Sequence, residues 1–328
     1  MTDLPPLRWL SAGDVEAAMP DLPERLDLAE RTLTALVRDA ELPSKIAVHP
    51  RPDGSFAHAM PAFLRGPQPA ADRLGIKWVA GFATNLDLGL PAISAVVVLS
   101  DAATGVPIAL LDGGPITAQR TAAVSGVALR AFAPTTGRPP EVGLIGAGVQ
   151  GHSHVPVIGA VLPGTRLRVH DRDPGRAEEL ARLARETPGI THAEPVPSAR
   201  AAVAEADAVV TAAAFGPVRQ VMTNDWLAPG VTVVAVDYAT YCAAEVAREA
   251  ALFLVDEHGQ FLANRDAGAF DDYPDPTATL GEVLLAGTPR PAGRVVVTHL
   301  GVGLADVVFG SAILERAKTL GLGTLLPR

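Results

Sequence analysis

The chain has 328 residues, 48% hydrophobic and 19% charged, enough to bury large cores and to form about two domains. A formal net charge of −9 argues against nucleic-acid and membrane partners, and no uninterrupted apolar run reaches membrane-spanning length. Its one cysteine, Cys242, precludes an internal disulfide and a thiolate zinc site, and residues 1–6 lack the basic and apolar regions of a secretory signal, so a cytoplasmic protein is expected.

Ser11 reads as an N-cap with Asp14 in the first turn, and Leu22, Leu26, Ala29, Leu33, Leu36 and Ala40 recur at helical spacing. Strand-like segments follow at 45–48, 57–60, 76–79 and 92–99, the last joined through the turn 101–105 to 106–111 as a hairpin. Residues 116–132, rich in small side chains, suit a close-packed helix, and Pro134 with Gly137-Arg138-Pro139-Pro140 makes a hinge-like linker. Beyond it, strands at 142–145, 167–170, 208–212, 231–236, 252–255 and 295–298 alternate with helices in the manner of a doubly wound parallel sheet. A final helix at 304–320 can return to the first domain. The expected division is therefore a discontinuous α+β domain, 1–133 joined by 305–328, and an α/β domain, 134–304.

The segment 141–151, E-V-G-L-I-G-A-G-V-Q-G, places Gly146, Gly148 and Gly151 as a complete G-x-G-x-x-G between a strand and a helical run at 149–161. Gly146 allows the tight turn, Gly148 lets backbone N–H groups approach a pyrophosphate, and Gly151 lets the helix pack on its strand. The diphosphate then meets a helix N-terminus. Strand 166–170 ends at Asp171, which can accept hydrogen bonds from the adenosine ribose and repel a 2′-phosphate. This is a Rossmann dinucleotide site with NAD(H) favoured. The guanidinium of Arg172 can pair with a phosphate, which leaves NADP(H) open, although by itself Arg172 reads as a solvated side chain.

Upstream lie Lys77-Trp78-Val79-Ala80-Gly81 and Thr117-Ala118-Gln119-Arg120-Thr121-Ala122-Ala123. With the glycine fingerprint, in this order and spacing, they resemble the ornithine cyclodeaminase/μ-crystallin family, which carries K-x-V-x-G on a strand and R-T-A-A on a helix ahead of its Rossmann unit. The resemblance implies an NAD(P)-dependent oxidoreductase exchanging a hydride with the α-carbon of a small amino acid or its imine, as an amino-acid dehydrogenase or imine/ketimine reductase. Two alternatives stay open: a cyclodeaminase-type ammonia lyase that recycles NAD internally, and a non-catalytic cofactor- and ligand-binding protein of the μ-crystallin type. The resemblance also implies a homodimer, a small amino-acid, oxo-acid or imine substrate, and a cofactor set of Thr121, Gly146, Gly148, Val149, Gln150, Gly151, Asp171, Arg172 and Thr211.

Arg120, expected in the first turn of its helix, offers a planar fork matched to an α-carboxylate; the blander reading is a surface arginine paired with an acid. Lys77 lies in a strand otherwise fit for burial. By resemblance it contacts the carboxylate or polarises the imine or carbonyl, against the alternative of an edge-strand lysine facing water. Asp237 ends an apolar strand at the carboxyl end of the sheet. By resemblance it is the acid/base at the substrate nitrogen, and otherwise a helix N-cap ahead of a helix starting near Ala243. Its sequel, Asp237-Tyr238-Ala239-Thr240-Tyr241-Cys242, departs from the P-G-K-x-E-L-like run of the cyclodeaminases.

Lys45 falls where the family has a second carboxylate-anchoring arginine, so a point charge replaces a fork. His58, ahead of Met60-Pro61, stands where ornithine cyclodeaminases place an acid near the distal amine. A histidine suits a distal carboxylate or hydroxyl better, and reads equally as a core or rim histidine. His152 and His154, two apart, do not share a helix face and have no third ligand, so no metal site is expected. The expected catalytic pair is Lys77 and Asp237, with Lys45, His58, Lys77 and Arg120 on the substrate.

Overall fold

From Gly75 to Gly81 every second residue is buried, Lys77 and Val79 among them, while Trp78 between them is exposed: the period of a sheet with one covered face. In the computed structural model, which describes residues 4–52, 54–214 and 219–328, this sheet belongs to the first of two units, Met1–Arg120 with Gly301–Arg328; the second is Thr121–Leu300.

The first unit runs β1 (Leu7–Leu10), α1 (Ala12–Ala17), α2 (Leu22–Ala35), β2 (Ala40–Glu41), β3 (Ile46–Val48), β4 (Phe56–Leu64), β5 (Arg73–Gly81), β6 (Ile93–Ser100), β7 (Pro107–Asp112) and the start of α3 (Gly113–Phe132). The chain's last elements complete it, α10 (Gly303–Leu320) and β16 (Thr324–Leu326), if the second unit's strands and helices take the numbers between. The sheet order is β16-β1-β7-β6-β5-β4-β2, with β3 also on β4. In register, Met60, Lys77 and Val97 lie side by side on the inner face. α10 covers that face with Leu304, Val307, Phe309, Ile313 and Leu314, all buried. Its start fits closely, since a Cβ on Gly303 would collide with the carbonyl oxygen of Met60.

Local signals explain most of these elements. Ser11 and Asp14 form a capping box on α1, and Asp21 caps α2. The helical spacing through Leu36 and Ala40 outruns α2: Ala40 instead pairs antiparallel with Leu64, so ladder bonds at the sheet edge replace a further helical turn. β1 and β16 are too short to alternate visibly; β1 pairs with β16 on one side and with β7 on the other.

The second unit contains β8 (Glu141–Ile145), α4 (Val149–Val161), β9 (Thr165–His170), α5 (Pro174–Arg185), β10 (Ile190–Pro195), α6 (Ala199–Val203), β11 (Ala208–Thr211), β12 (Thr232–Ala235), α7 (Ala244–Arg248), β13 (Leu252–Val255), α8 (His258–Asp266), β14 (Ala278–Thr279), α9 (Leu280–Ala286) and β15 (Val295–Thr298). All pairings are parallel, in the order β10-β9-β8-β11-β12-β15-β13-β14. The order reverses between β8 and β11, which makes the crevice at their carboxyl ends the ligand-binding position of such a sheet. β10, a polar edge strand, is the one full strand here without an apolar sequence signal.

The division of the chain falls inside α3, between Arg120 and Thr121, and not at the linker near residue 134. α3 begins at Gly113, earlier than 116, because Asp112 Oδ1 accepts the Gly114 N–H at 2.8 Å and Pro115 is harmless in a first turn.

Candidate functional site

In the first unit, Lys77 is 1% exposed at the middle of β5, between β4 and β6, so it is not an edge lysine. Its Nζ lies 2.7 Å from Asp306 Oδ2 and donates to Thr117 Oγ1 at 3.4 Å. Arg120, also buried, directs Nε at Asp306 Oδ1, 3.3 Å away. The structure corrects its place in α3: it lies seven positions after Gly113, beyond the reach of the helix N-terminal dipole, so the ion pair and not the dipole governs this guanidinium.

Burial pushes the Lys77 ammonium down to about 7; Asp306 opposes that push, while Arg120 and Lys45 add to it. Lys45, partly buried in the irregular segment before β3, is thus close enough for its charge to be felt. His58 shares the inner face with Lys77 and stacks on Phe56 with ring centroids 4.6 Å apart. Burial, then the charges of Lys45, His49 and Lys77, push it down to about 4. His58 is consequently neutral at pH 7 and meets a substrate as a hydrogen-bonding group, not as a cation. Four expected substrate residues, Lys45, His58, Lys77 and Arg120, therefore gather in one unit.

Asp306 joins them, and the sequence reading passed over it. The available signal was a lone acid inside the apolar run 302–309, V-G-L-A-D-V-V-F, three residues after the Gly301-Val302-Gly303 turn. It lies in the first turn of α10 and is fully buried.

In the second unit, the fingerprint glycines occupy the β8–α4 turn. Gly146 has φ +103°, and a Cβ there would strike the carbonyl oxygen of Ala212, across the switch point. Gly151 approaches Gly146 as closely, whereas above Gly148 nothing lies within 4 Å. That open space, framed by the first N–H groups of α4, fits a diphosphate. Val149 opens α4 and is exposed; Gln150 follows, its carbonyl oxygen accepting from His154 Nδ1 at 2.6 Å. Asp171 Oδ2 accepts the Ala147 N–H at 2.8 Å and Oδ1 the Asp173 N–H at 2.9 Å, which fixes the carboxylate beside the glycine turn with lone pairs left for ribose hydroxyls. Arg172 is exposed and Thr121 buried.

Thr211, expected on the cofactor, is committed to Asp237: its hydroxyl donates to Oδ1 at 2.7 Å, and the Ala213 N–H donates to Oδ2 at 3.1 Å. Burial nevertheless pushes the Asp237 carboxyl up to about 7. Asp237 caps no helix, since the N-cap of α7 is Ala243.

His154 is buried and bridged through Ser125 Oγ to His299 Nε2, each contact 2.8 Å long. Burial holds His154 near 4, hence neutral; its Nδ1–H faces Gln150, so Nε2 accepts the Ser125 hydroxyl, and Ser125 in turn accepts from His299. The residue is a structural tie. Among the described residues no group of three potential metal ligands occurs, and no helix is long and apolar enough to cross a membrane.

A model of the ornithine cyclodeaminase/mu-crystallin family matches residues 13–320. The nodulation efficiency protein NfeD of Rhizobium meliloti is 34% identical, with 98% of each chain covered. The ketimine reductase mu-crystallin of Mus musculus is 27% identical over 79% of this chain and 80% of its own. Among solved structures, Thermococcus litoralis Delta(1)-pyrroline-2-carboxylate reductase, in complex with NADH and L-proline, superposes with a TM-score of 0.84 at 25% identity, covering 97% of this chain and 99% of the other.

Two alanine substitutions separate the roles of the glycines. Gly146→Ala, strained and obstructed, should cost about 2–4 kcal/mol in denaturant unfolding. Gly148→Ala should leave stability within about 1 kcal/mol and weaken NADH binding roughly tenfold or more in a fluorescence titration, because its methyl group enters the open space.

Proposed function

The chain belongs to the ornithine cyclodeaminase/mu-crystallin family, and on that premise we propose that it is an NAD(H)-dependent oxidoreductase acting at the α-carbon of a small amino acid or its imine. Asp237 carries this reading. A carboxyl raised to about 7 and held by two hydrogen bonds, just past the end of a strand one place from the switch point, gives up and takes back a proton with comparable ease near neutral pH. The ketimine reductase and the pyrroline-2-carboxylate reductase among the relatives support it.

The cofactor bound at Gly146, Gly148, Gly151 and Asp171 would supply the hydride chemistry, and the fixed Asp171 carboxylate favours NAD(H) over NADP(H). The Arg120 fork and the Lys77 ammonium bind the α-carboxylate, and Lys45 adds positive charge. Asp237, in its acid form, holds a proton at the imine nitrogen and ends as a carboxylate when the amine is made. In the opposite direction the carboxylate removes that proton. His58, neutral and standing where the cyclodeaminases would have an acid, gives a distal ammonium no counter-charge, which favours net oxidation or reduction over ring-closing deamination.

The outer face of the first sheet is the proposed dimer surface. Ile46, Val48 and Trp78 are 61%, 51% and 49% exposed there. Burying such a patch in a symmetric pair removes it from water.

Cyclic and acyclic imino acids, added with NADH, should oxidise NADH in proportion to the amine formed; substrate turnover with constant absorbance at the reduced-nicotinamide band would instead mark a cyclodeaminase. Asp237→Asn should lower the reductive rate by about two to four orders of magnitude with NADH affinity unchanged. In the wild type that rate should fall as pH rises through about 7, where Asp237 loses its proton, and the oxidative rate should rise over the same interval. Arg120→Ala should chiefly raise KM. Solution scattering should give a dimer, converted toward monomer by Trp78→Glu.

A further inference from the structure

Lys77 and Arg120 reach the proposed substrate carboxylate from different elements, β5 and α3, yet both end on one buried side chain, Asp306 of α10. The donors left over define what the site can hold. Lys77 has three N–H bonds; it is ion-paired with Asp306 Oδ2 at 2.7 Å and donates to Thr117 Oγ1 at 3.4 Å, which leaves donor capacity on the ammonium. Arg120 spends Nε on Asp306 Oδ1 and keeps its terminal fork. That guanidinium lies directly on Gly301, where φ is +77° and a Cβ would collide with Nη1 and Nη2. The turn at Gly301, the close approach of Gly303 to Met60 and the first turn of α10 thus deliver the carboxylate and shape the arginine's seat together.

We propose that Asp306 is the positioning residue of the site: gripping Lys77 and Arg120 at once, it aims their remaining donors at one incoming carboxylate and leaves the buried trio one positive charge in excess. The inference rests on the reading of this cluster as an α-carboxylate site. Two buried cations and one anion are an incomplete set, and a monoanionic carboxylate completes it. Take Asp306 away and two cations share a dry space, where the lysine is the one able to shed its proton. The groups whose charge bears on Lys77 are Asp306 from α10, Arg120 from α3 and Lys45 from the segment before β3, while the His58 ring of β4, on the same sheet face, is neutral. Asp306 is the anion among them. Carboxylate affinity should therefore weaken as pH rises through the Lys77 titration near 7, since the neutral amine no longer attracts an anion.

The test uses the NADH-loaded full chain and pyrrole-2-carboxylate, a planar carboxylate inert to hydride, with affinity measured by calorimetry from pH 5 to 9. In the wild type Kd should rise with a midpoint near pH 7. Asp306→Asn should move the midpoint down by at least about one pH unit, weaken binding tenfold or more at pH 7.5, narrow that gap at pH 5.5 and leave NADH affinity unchanged. Asp306→Glu, which keeps the charge but displaces it by a methylene, should hold the wild-type midpoint while weakening binding several-fold. A folded Asp306→Asn with the wild-type midpoint overturns the proposal; should that variant not fold, wild-type affinity in Asp306→Glu overturns it. If the wild type binds the probe at no pH, the carboxylate reading of the site fails, and the inference built on it is withdrawn with it.

Discussion

Two cations can be kept out of water in the first unit only because a carboxylate is kept out with them. An isolated buried charge costs several kcal/mol even after the protein relaxes, and Lys77, Arg120 and Asp306 are all less than a tenth exposed. Much of the unit's architecture serves that requirement. β5 must be an interior strand for Lys77 to be covered, α3 must run long enough to carry Arg120 inward, and α10 must enter at Gly303, against Met60, for its first turn to reach both.

The second unit meets a comparable constraint by other means. At Asp237 two hydrogen-bond donors hold the carboxyl and burial dominates, so it rests near neutrality instead of being fixed as an anion. The contrast in environment separates the chemistry proposed for the two units. Ion-paired groups are suited to holding charge, and a desolvated acid is suited to exchanging a proton.

How much of this was legible in the sequence depended on distance along the chain. The glycine turn, its strand and its helix are contiguous, and 149–161 was bounded correctly because the fingerprint marks its start. Lys77 and Arg120 were found through short motifs, but their surroundings were not. Asp306 lies 186 residues beyond Arg120, and no periodicity links them. The start of α3 was misplaced because Gly113-Gly114-Pro115 looks like a break, although glycine and proline are tolerated in a capped first turn. Thr211 belongs to the cofactor set that the resemblance implies; that its hydroxyl donates to Asp237 depends on β11 and β12 being neighbours, a fact of topology that the sequence does not carry.

The first unit is assembled from two separate stretches, Met1–Arg120 and Gly301–Arg328, with the whole second unit inserted between them. During synthesis the sheet's strands β2 to β7 emerge long before α10, which covers their inner face and carries the anion, and before β16, which closes the edge at β1. Until α10 is made, then, Lys77 belongs to a sheet with no lid and no counter-ion, and it can remain hydrated there. The dinucleotide unit, contiguous and self-contained, is free to fold first on the ribosome. Charge burial is thereby deferred until residues 301–320 have been made, so a truncated product lacking residues 301–328 would carry an exposed apolar sheet face and is a natural target for proteolysis.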